Sequence, residues 1–288
     1  RPRPGEPRQP VLPVTRPARP APGRAMPPPM ATAHRLFGPE QAFALSLRDV
    51  GKRFGALVAL EGIELDVRVG GRHAILGANG AGKTTLFNCI TGDFPPSSGR
   101  IRLFGEDVTD RPAHDRIRAG LRRTYQTSRL FRGLTVEQNL FLAEQGVAPR
   151  RFSMRPVARD HAHRARAREL GEYVGLADLL SAPVADLAHG QQRQLEIGMA
   201  LAGRPRLILF DEPAAGLSAA ERADLVGILE DLPQQFTFVI IEHDLEVALR
   251  VADRVTVLDQ GRFFAEGTPE EIEADPRVQA IYLGEADG

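Results

Sequence analysis

From residue 43 onward the apolar positions follow two rhythms, and the changes between them mark the elements. "FALSLRDV" (43–50) and "IELDVRVG" (63–70) alternate apolar and polar side chains, the pattern of half-buried antiparallel strands. "RHAIL" (72–76) is a short apolar strand that runs into a glycine-rich loop and then "TTLFNCITG" (84–92), a helical stretch stopped at Gly92. "GRIRLFGEDV" (99–108) reads as a hairpin. After position 127 the rhythm becomes helical. "TVEQNLFLAEQ" opens with Thr135 and Gln138 at capping-box spacing, and residues 157–174 are rich in Arg and Ala at helical spacing. A mostly helical insertion is therefore expected over about 127–203. Strand–helix alternation then resumes with "RLILFD", a helix from Ser218, "FTFVIIE", a helix over 244–252 and "RVTVLDQG". Short continuous apolar strands between helices imply a parallel sheet covered on both faces, so the expected class is α/β. Thr268, Pro269 and Glu271 occupy the N-cap, N1 and N3 positions of one more helix.

Composition narrows this picture in three ways. The 288 residues carry 37 basic and 37 acidic side chains, which cancel, so the arginine-rich composition is not that of a general nucleic-acid binder. A single cysteine, Cys89, cannot form an internal disulfide and fits a reducing compartment. No apolar run approaches the roughly 18 residues of a membrane span, so any work at a membrane calls for a separate partner. Residues 1–35 stand apart, with 11 of the 23 prolines, seven arginines and one acid, Glu6. That composition cannot offset the entropy of ordering and is expected to form a disordered tail, leaving 36–288 as the folded domain. A start of translation at Met26 or Met30 is the alternative reading of the same segment.

The candidate chemistry begins at "GANGAGKT". It fits the P-loop pattern at Gly77, Gly82, Lys83 and Thr84. Glycines let backbone N–H groups curl around phosphate oxygens, and the helix that follows adds its positive end. Thr84 offers a hydroxyl to Mg²⁺. Only two lysines occur in the chain, Lys52 and Lys83. Position 83 calls for a compact ammonium that fits inside a closed loop, where a planar guanidinium is too broad. The second element is "LILFDE": an apolar strand delivers Asp211 to its C-terminal edge as a candidate Mg²⁺ ligand, with Glu212 next to it as general base for an attacking water.

P-loops serve many machines, and the stretch that separates them is "LAHGQQRQLEIGMAL" (187–201), between the P-loop and "LILFDE". Here the chain resembles the ATP-binding-cassette (ABC) ATPases, whose signature loop reads LSGGQ. The resemblance spans about residues 43–284. Gln126 in "RTYQTSRLF" matches the Q-loop, which the family directs at the metal, His243 in "IIEHDLE" the switch histidine, and Phe54 in "GKRFGAL" the adenine-stacking aromatic. The resemblance implies a RecA-like core with an antiparallel β subdomain and a helical insertion. It also implies two cassettes, identical or different, arranged head to tail. Each ATP would be held with Mg²⁺ by residues 77–85 (Gly77, Ala78, Asn79, Gly80, Ala81, Gly82, Lys83, Thr84 and Thr85) and by Ala188, His189, Gly190 and Gln191 of the other cassette. Catalysis would rest on Lys83, Glu212 and His243. Ala188 replaces the family's signature serine and His189 a glycine, which puts a side-chain contact at 188 in doubt but not the backbone cradle. Ser218 stands where the family has its D-loop aspartate, and with Glu221 it makes a capping box, so it reads first as a helix cap.

Within the family, "TSRLFRGLTVEQNL", "HGQQRQLEIGMAL" and "EGTPEEIEADPRVQAIYLGE" look most like the ATP-binding subunits of branched-chain amino-acid importers, with urea or amide importers sharing these segments. Such a subunit is expected peripherally, on the cytoplasmic side of the inner membrane. Its partners would be permease subunits and, indirectly, a periplasmic solute-binding protein, with no nucleic acid. Leu130, Phe131 and Leu134, rimmed by Arg129 and Arg132, are read either as the permease dock or as core of the insertion. A lipid or lipopolysaccharide exporter ATPase and a soluble non-transport cassette are the other classes. Neither a second cassette nor a heptad run favours the latter.

Overall fold

The computed structural model describes residues 42–124, 130–147, 161–234 and 236–283. The two alternating segments form long strands, β1 (Phe43–Phe54) and β2 (Leu57–Arg68), paired antiparallel. They join β4 (Ser98–Leu103) and β5 (Glu106–Asp107) in a four-stranded sheet of order β2-β1-β4-β5. The continuous apolar runs build a second sheet instead. It contains β3 (Arg72–Leu76), β6 (Leu121–Arg123), β7 (Leu207–Asp211), β8 (Thr237–Ile241), β9 (Arg254–Asp259) and β10 (Arg262–Gly267), in the order β10-β9-β3-β8-β7-β6. The pairs β9–β3, β3–β8, β8–β7 and β7–β6 are parallel, and β10 closes the edge antiparallel to β9.

Every residue of β7 and β8 is buried, because both faces of this sheet are covered. Successive side chains divide between two cores, as the period of a strand requires. Ala74, Leu76, Ile208, Phe210, Phe238 and Ile240 enter one core, and Ile75, Leu207, Leu209, Val239 and Ile241 enter the other. The first core lies under α3 (Val136–Val147), α4 (His161–Tyr173), α5 (His189–Ala200), α6 (Ala219–Glu230), α7 (Leu245–Val251) and α8 (Pro269–Ala274). The second is filled by α1 (Lys83–Thr91) and the antiparallel sheet, through Leu86, Phe87, Ile90, Leu45, Leu47 and Leu65.

The helix boundaries follow the caps. Gly92 ends α1 in the left-handed conformation, with its N–H on Asn88 O. Ser218–Glu221 and Thr268–Glu271 form the expected reciprocal boxes, and Thr135 and Gln138 exchange bonds of 2.9 and 3.2 Å. The pattern gave no sign of β6, β10, α2 (Ala113–Arg118) or α9 (Pro276–Leu283). Three of them are six residues or fewer, too short for a periodicity to register, and the fourth extends the C-terminal helix beyond a break at Asp275–Pro276. Within α2, Arg116 is buried and donates to the carbonyls of Cys89, Ile90, Thr109 and Arg111. Its guanidinium thus satisfies the open C-terminal end of α1, where a positive charge is also favoured by the helix dipole.

Candidate functional site

Four adjacent strands bring the candidate residues to one edge. The C-terminal ends of β3, β8, β7 and β6 carry, in that spatial order, the P-loop, Glu242–His243, Asp211–Glu212 and Arg123–Thr124. An open parallel sheet holds ligands at this edge.

The P-loop leaves β3 at Gly77, where φ is 150° and a Cβ would stand 2.3 Å from Leu258 O. At Gly82, φ is 96° and a Cβ would stand 2.8 Å from Ala59 O. Both conformation and space therefore demand glycine at these two positions. Gly82 caps α1 with no side-chain bond, and no acid lies in the helix's first turn. No side chain caps this helix end, which suits it to an anion. Lys83 is buried, and its ammonium donates to Gly77 O and, at 3.1 Å, to Ala78 O. The cation lies inside the closed loop, as its compact shape allows. Ala78 is half-buried, Asn79 and Gly80 are exposed at the tip, and Ala81 is buried. Thr84 is exposed and Thr85 half-buried on the first turn of α1. The other lysine also uses its shape: Lys52 Nζ lies 5.1 and 4.6 Å from the ring centroids of Phe54 and Phe94 and donates to Pro95 O at 2.7 Å. Phe54 is 47% exposed and meets Phe94 edge-on at 5.4 Å, so it is a surface ring and not a core residue.

Asp211 is buried, and its Oδ2 accepts a bond of 2.6 Å from Arg123. The same guanidinium donates to Asn88 Oδ1 at 2.6 Å and to Asp93 Oδ2 at 3.1 Å. Arg123 therefore ties the P-loop helix to the strand end that carries Asp211. The sequence signal for Arg123 is a pair of arginines, Arg122 and Arg123, closing a strand just ahead of Gln126. Gln126 itself lies outside the described residues. Thr84 and Asp211 supply a hydroxyl and a carboxylate, the hard oxygen donors that suit Mg²⁺.

Glu212 follows Asp211 with φ at 47°, a left-handed conformation that is costly for a residue with a Cβ. Its N–H donates to Ile241 O at 2.9 Å, and Ala215 N–H returns to Glu212 O at 3.1 Å. On the neighbouring strand end Glu242 is fully buried and accepts the Ala214 N–H at 2.9 Å. Burial above all pushes its carboxyl up to about 7, with the Glu212 charge adding to the shift and the Ala214 bond opposing it. His243 is exposed, with Nδ1 4.0 Å from Glu242 Oε2. The signal for Glu242 is an acid closing an apolar strand, the same that marks Asp211.

Residues 188–191 begin α5, away from these strand ends. Ala188 is the N-cap and contributes no side-chain acceptor; the Gln191 side chain accepts the Ala188 N–H at 2.9 Å. His189 is exposed and Gly190 buried. The Gly190 N–H donates at 2.9 Å to Glu221, whose carboxylate also caps α6 through Ser218. Bonds from Ser218, then from Gly190, hold Glu221 below the usual carboxylate range. Ser218 is a helix cap here, as its spacing implied.

The chain is similar to known proteins of one family. Residues 60–215 match the ABC transporter family, and residues 264–288 match the family described as branched-chain amino acid ATP-binding cassette transporter. The high-affinity branched-chain amino acid transport ATP-binding protein BraF of Pseudomonas aeruginosa is 39% identical over 251 residues, 84% of this chain and 98% of that protein. A ribose import ATP-binding protein, RbsA 1 of Burkholderia thailandensis, is also 39% identical, over 233 residues that make up 80% of this chain and 44% of that protein. Among solved structures, the ADP conformation of MJ1267, an ATP-binding cassette of an ABC transporter, superposes with a TM-score of 0.75 at 32% identity, covering 84% of this chain and 99% of that one.

Proposed function

This chain belongs to the ABC transporter family of ATP-binding cassettes, and from that premise we propose that it is the ATP-hydrolysing subunit of an importer for branched-chain amino acids. The observation that carries the hydrolytic part is the shared edge where Lys83, Asp211, Glu212 and His243 leave neighbouring strands. The loop from Gly77 to Thr85 binds the phosphates through backbone N–H groups, and Lys83 turns its ammonium from the loop carbonyls to them. Thr84 and Asp211 would hold Mg²⁺, and the family resemblance assigns Gln126 to the same ion. When bound, the ion neutralises charge on the phosphates. Glu212 draws a proton from a water whose oxygen bonds to the terminal phosphorus as the bond to ADP breaks. His243, exposed two residues beyond β8, is placed to contact the phosphate being transferred. Phe54, half exposed at the surface, stacks on the adenine.

The N-terminal end of α5, exposed at Ala188 and His189, completes the site on a second cassette once the Gly190 N–H exchanges Glu221 for phosphate, with the backbone in place of the missing serine. Among the described residues no helix is long and apolar enough to cross a membrane, so force must pass through a contact surface. Phe131 suits that role. It is 54% exposed, while buried Asn139 exchanges bonds of 2.9 and 3.1 Å with its backbone and so fixes the segment that presents it. Leu130 packs on the core and Leu134 is half-buried, so the two earlier readings of this trio divide between its members. Arg132 is exposed at the rim, and Arg129 lies outside the described residues. The subunit then works peripherally beneath two permease subunits on the cytoplasmic side of the inner membrane, supplied by a periplasmic solute-binding protein.

The match at 264–288 and the length-spanning likeness to BraF favour branched-chain amino acids over the ribose alternative. The test is reconstitution in vesicles with candidate permease subunits and a solute-binding protein. ATP-dependent uptake of leucine, isoleucine or valine is expected; uptake of another solute class with none of these three would overturn the substrate assignment.

A further inference from the structure

The catalytic assignment leaves one buried acid unexplained. Glu212 sits in a left-handed backbone conformation, and such a conformation persists only where the surroundings over-determine it. Among the described residues, three bonds engage backbone N–H groups of the turn from Glu212 to Ala215. One is internal to the turn. The others come from β8: the Ile241 carbonyl takes the Glu212 N–H, and Glu242 Oε1 takes the Ala214 N–H at 2.9 Å. Glu242 is the only one of these partners that acts through a side chain. Its whole side chain is buried, and Oε2 has no hydrogen-bond partner among the described residues. A buried acid with one oxygen unsatisfied is a costly choice where packing alone is needed, since an apolar side chain would fill the space at less cost. The position is also singular, because β8 lies between the strand of the P-loop and the strand of Asp211, and His243 is the next residue.

We propose that Glu242 is a positioning residue for hydrolysis, accepting the Ala214 N–H so that the 212–215 turn aims the Glu212 carboxylate at its water. The proposal rests on Glu212 being the general base. The oxygen acceptor, at this length from the backbone, is what the role requires. Charge is not, because a negative charge beside the Glu212 carboxylate works against the ionised base.

Two substitutions separate these properties. Glu242→Gln keeps an oxygen at the same reach and removes the charge. Glu242→Asp keeps the charge and withdraws the acceptor by one methylene. The measurements are kcat and KM for ATP hydrolysis, the dissociation constant of a fluorescent ATP analogue, and the melting temperature. Glu242→Gln is expected to retain turnover within about threefold. Glu242→Asp is expected to lower kcat by about 10- to 100-fold, the scale of a displacement near 1 Å at a reacting group, with analogue affinity unchanged within about threefold. Because the P-loop is untouched, the loss falls on kcat and not on binding. Full turnover in Glu242→Asp overturns the proposal, as does a Gln variant impaired as deeply as Asp. A parallel fall of turnover, affinity and melting temperature assigns Glu242 to the fold alone. Glu212→Gln assayed beside them isolates the underlying reading: wild-type turnover there removes the base itself, whatever position 242 does.

Discussion

Two buried basic residues, His73 and Lys83, are held in different ways, and each difference can be measured. His73, on β3, bonds to Thr256 Oγ1 at 2.8 Å, and burial lowers its pKa to about 4. Its unfolded value is near 6.5. Between these values the unfolded chain binds a proton that the folded chain refuses, so stability falls as pH drops from 6.5 toward 4 and is unaffected above that window. The expected loss is about 2 kcal/mol between pH 7 and pH 5. Denaturant melts of wild type and His73→Gln at both pH values check this, and parallel pH dependences would refute it. Lys83 is held by two loop carbonyls inside a space its ammonium fits. Lys83→Arg conserves charge but not shape, and ATP affinity or turnover should fall at least tenfold. Isothermal titration and a phosphate-release assay decide it; normal values in both would mean that shape is immaterial there. The sequence made Lys83 legible because a P-loop is local. Arg123 and Glu242 escaped because their partners, Asp211 and Ala214, lie 88 and 28 residues away, and no spacing rule encodes a contact between strand ends.

At the scale of elements, the N-terminus of α5 is the most exposed part of the account. Ala188 leaves the N-cap without a side-chain acceptor, and Glu221 reaches across from α6 to the Gly190 N–H. Ala188→Ser adds the missing cap and should stabilise the helix by about 0.5–1 kcal/mol while changing ATPase activity less than twofold. Gly190→Asp should abolish activity: its Cβ would meet Glu221 at 2.7 Å, and it would set a second carboxylate where the phosphate of the other cassette's ATP is expected. Thermal melts and steady-state ATPase rates distinguish the two, and equal tolerance of both would remove this helix end from the nucleotide site. Elements announced by a cap or a continuous apolar run were all readable, including α6, α8, β7 and β8. The edge strand β10 and the three-residue β6 exist because neighbouring strands offer them a ladder, a tertiary cause that local sequence does not carry.

For the whole molecule the question is how hydrolysis leaves the cassette. Phe131 is exposed on a segment fixed by Asn139, so its side chain can be changed without opening the core. Phe131→Asp should fold, bind ATP normally, and lose co-purification with the permeases and solute uptake. Unchanged assembly and uptake would sink the docking role. Everything downstream depends on the reaction at the sheet edge, and Glu212→Gln tests that most directly. The amide keeps the shape of the side chain while removing the base. ATP binding and ATP hydrolysis are measured on the purified variant beside wild type. ATP affinity is expected within about threefold of wild type and turnover reduced by at least about 100-fold, the scale of general-base catalysis, with a dimer accumulating in ATP. Hydrolysis at a near wild-type rate would contradict the assignment of Glu212 as the base.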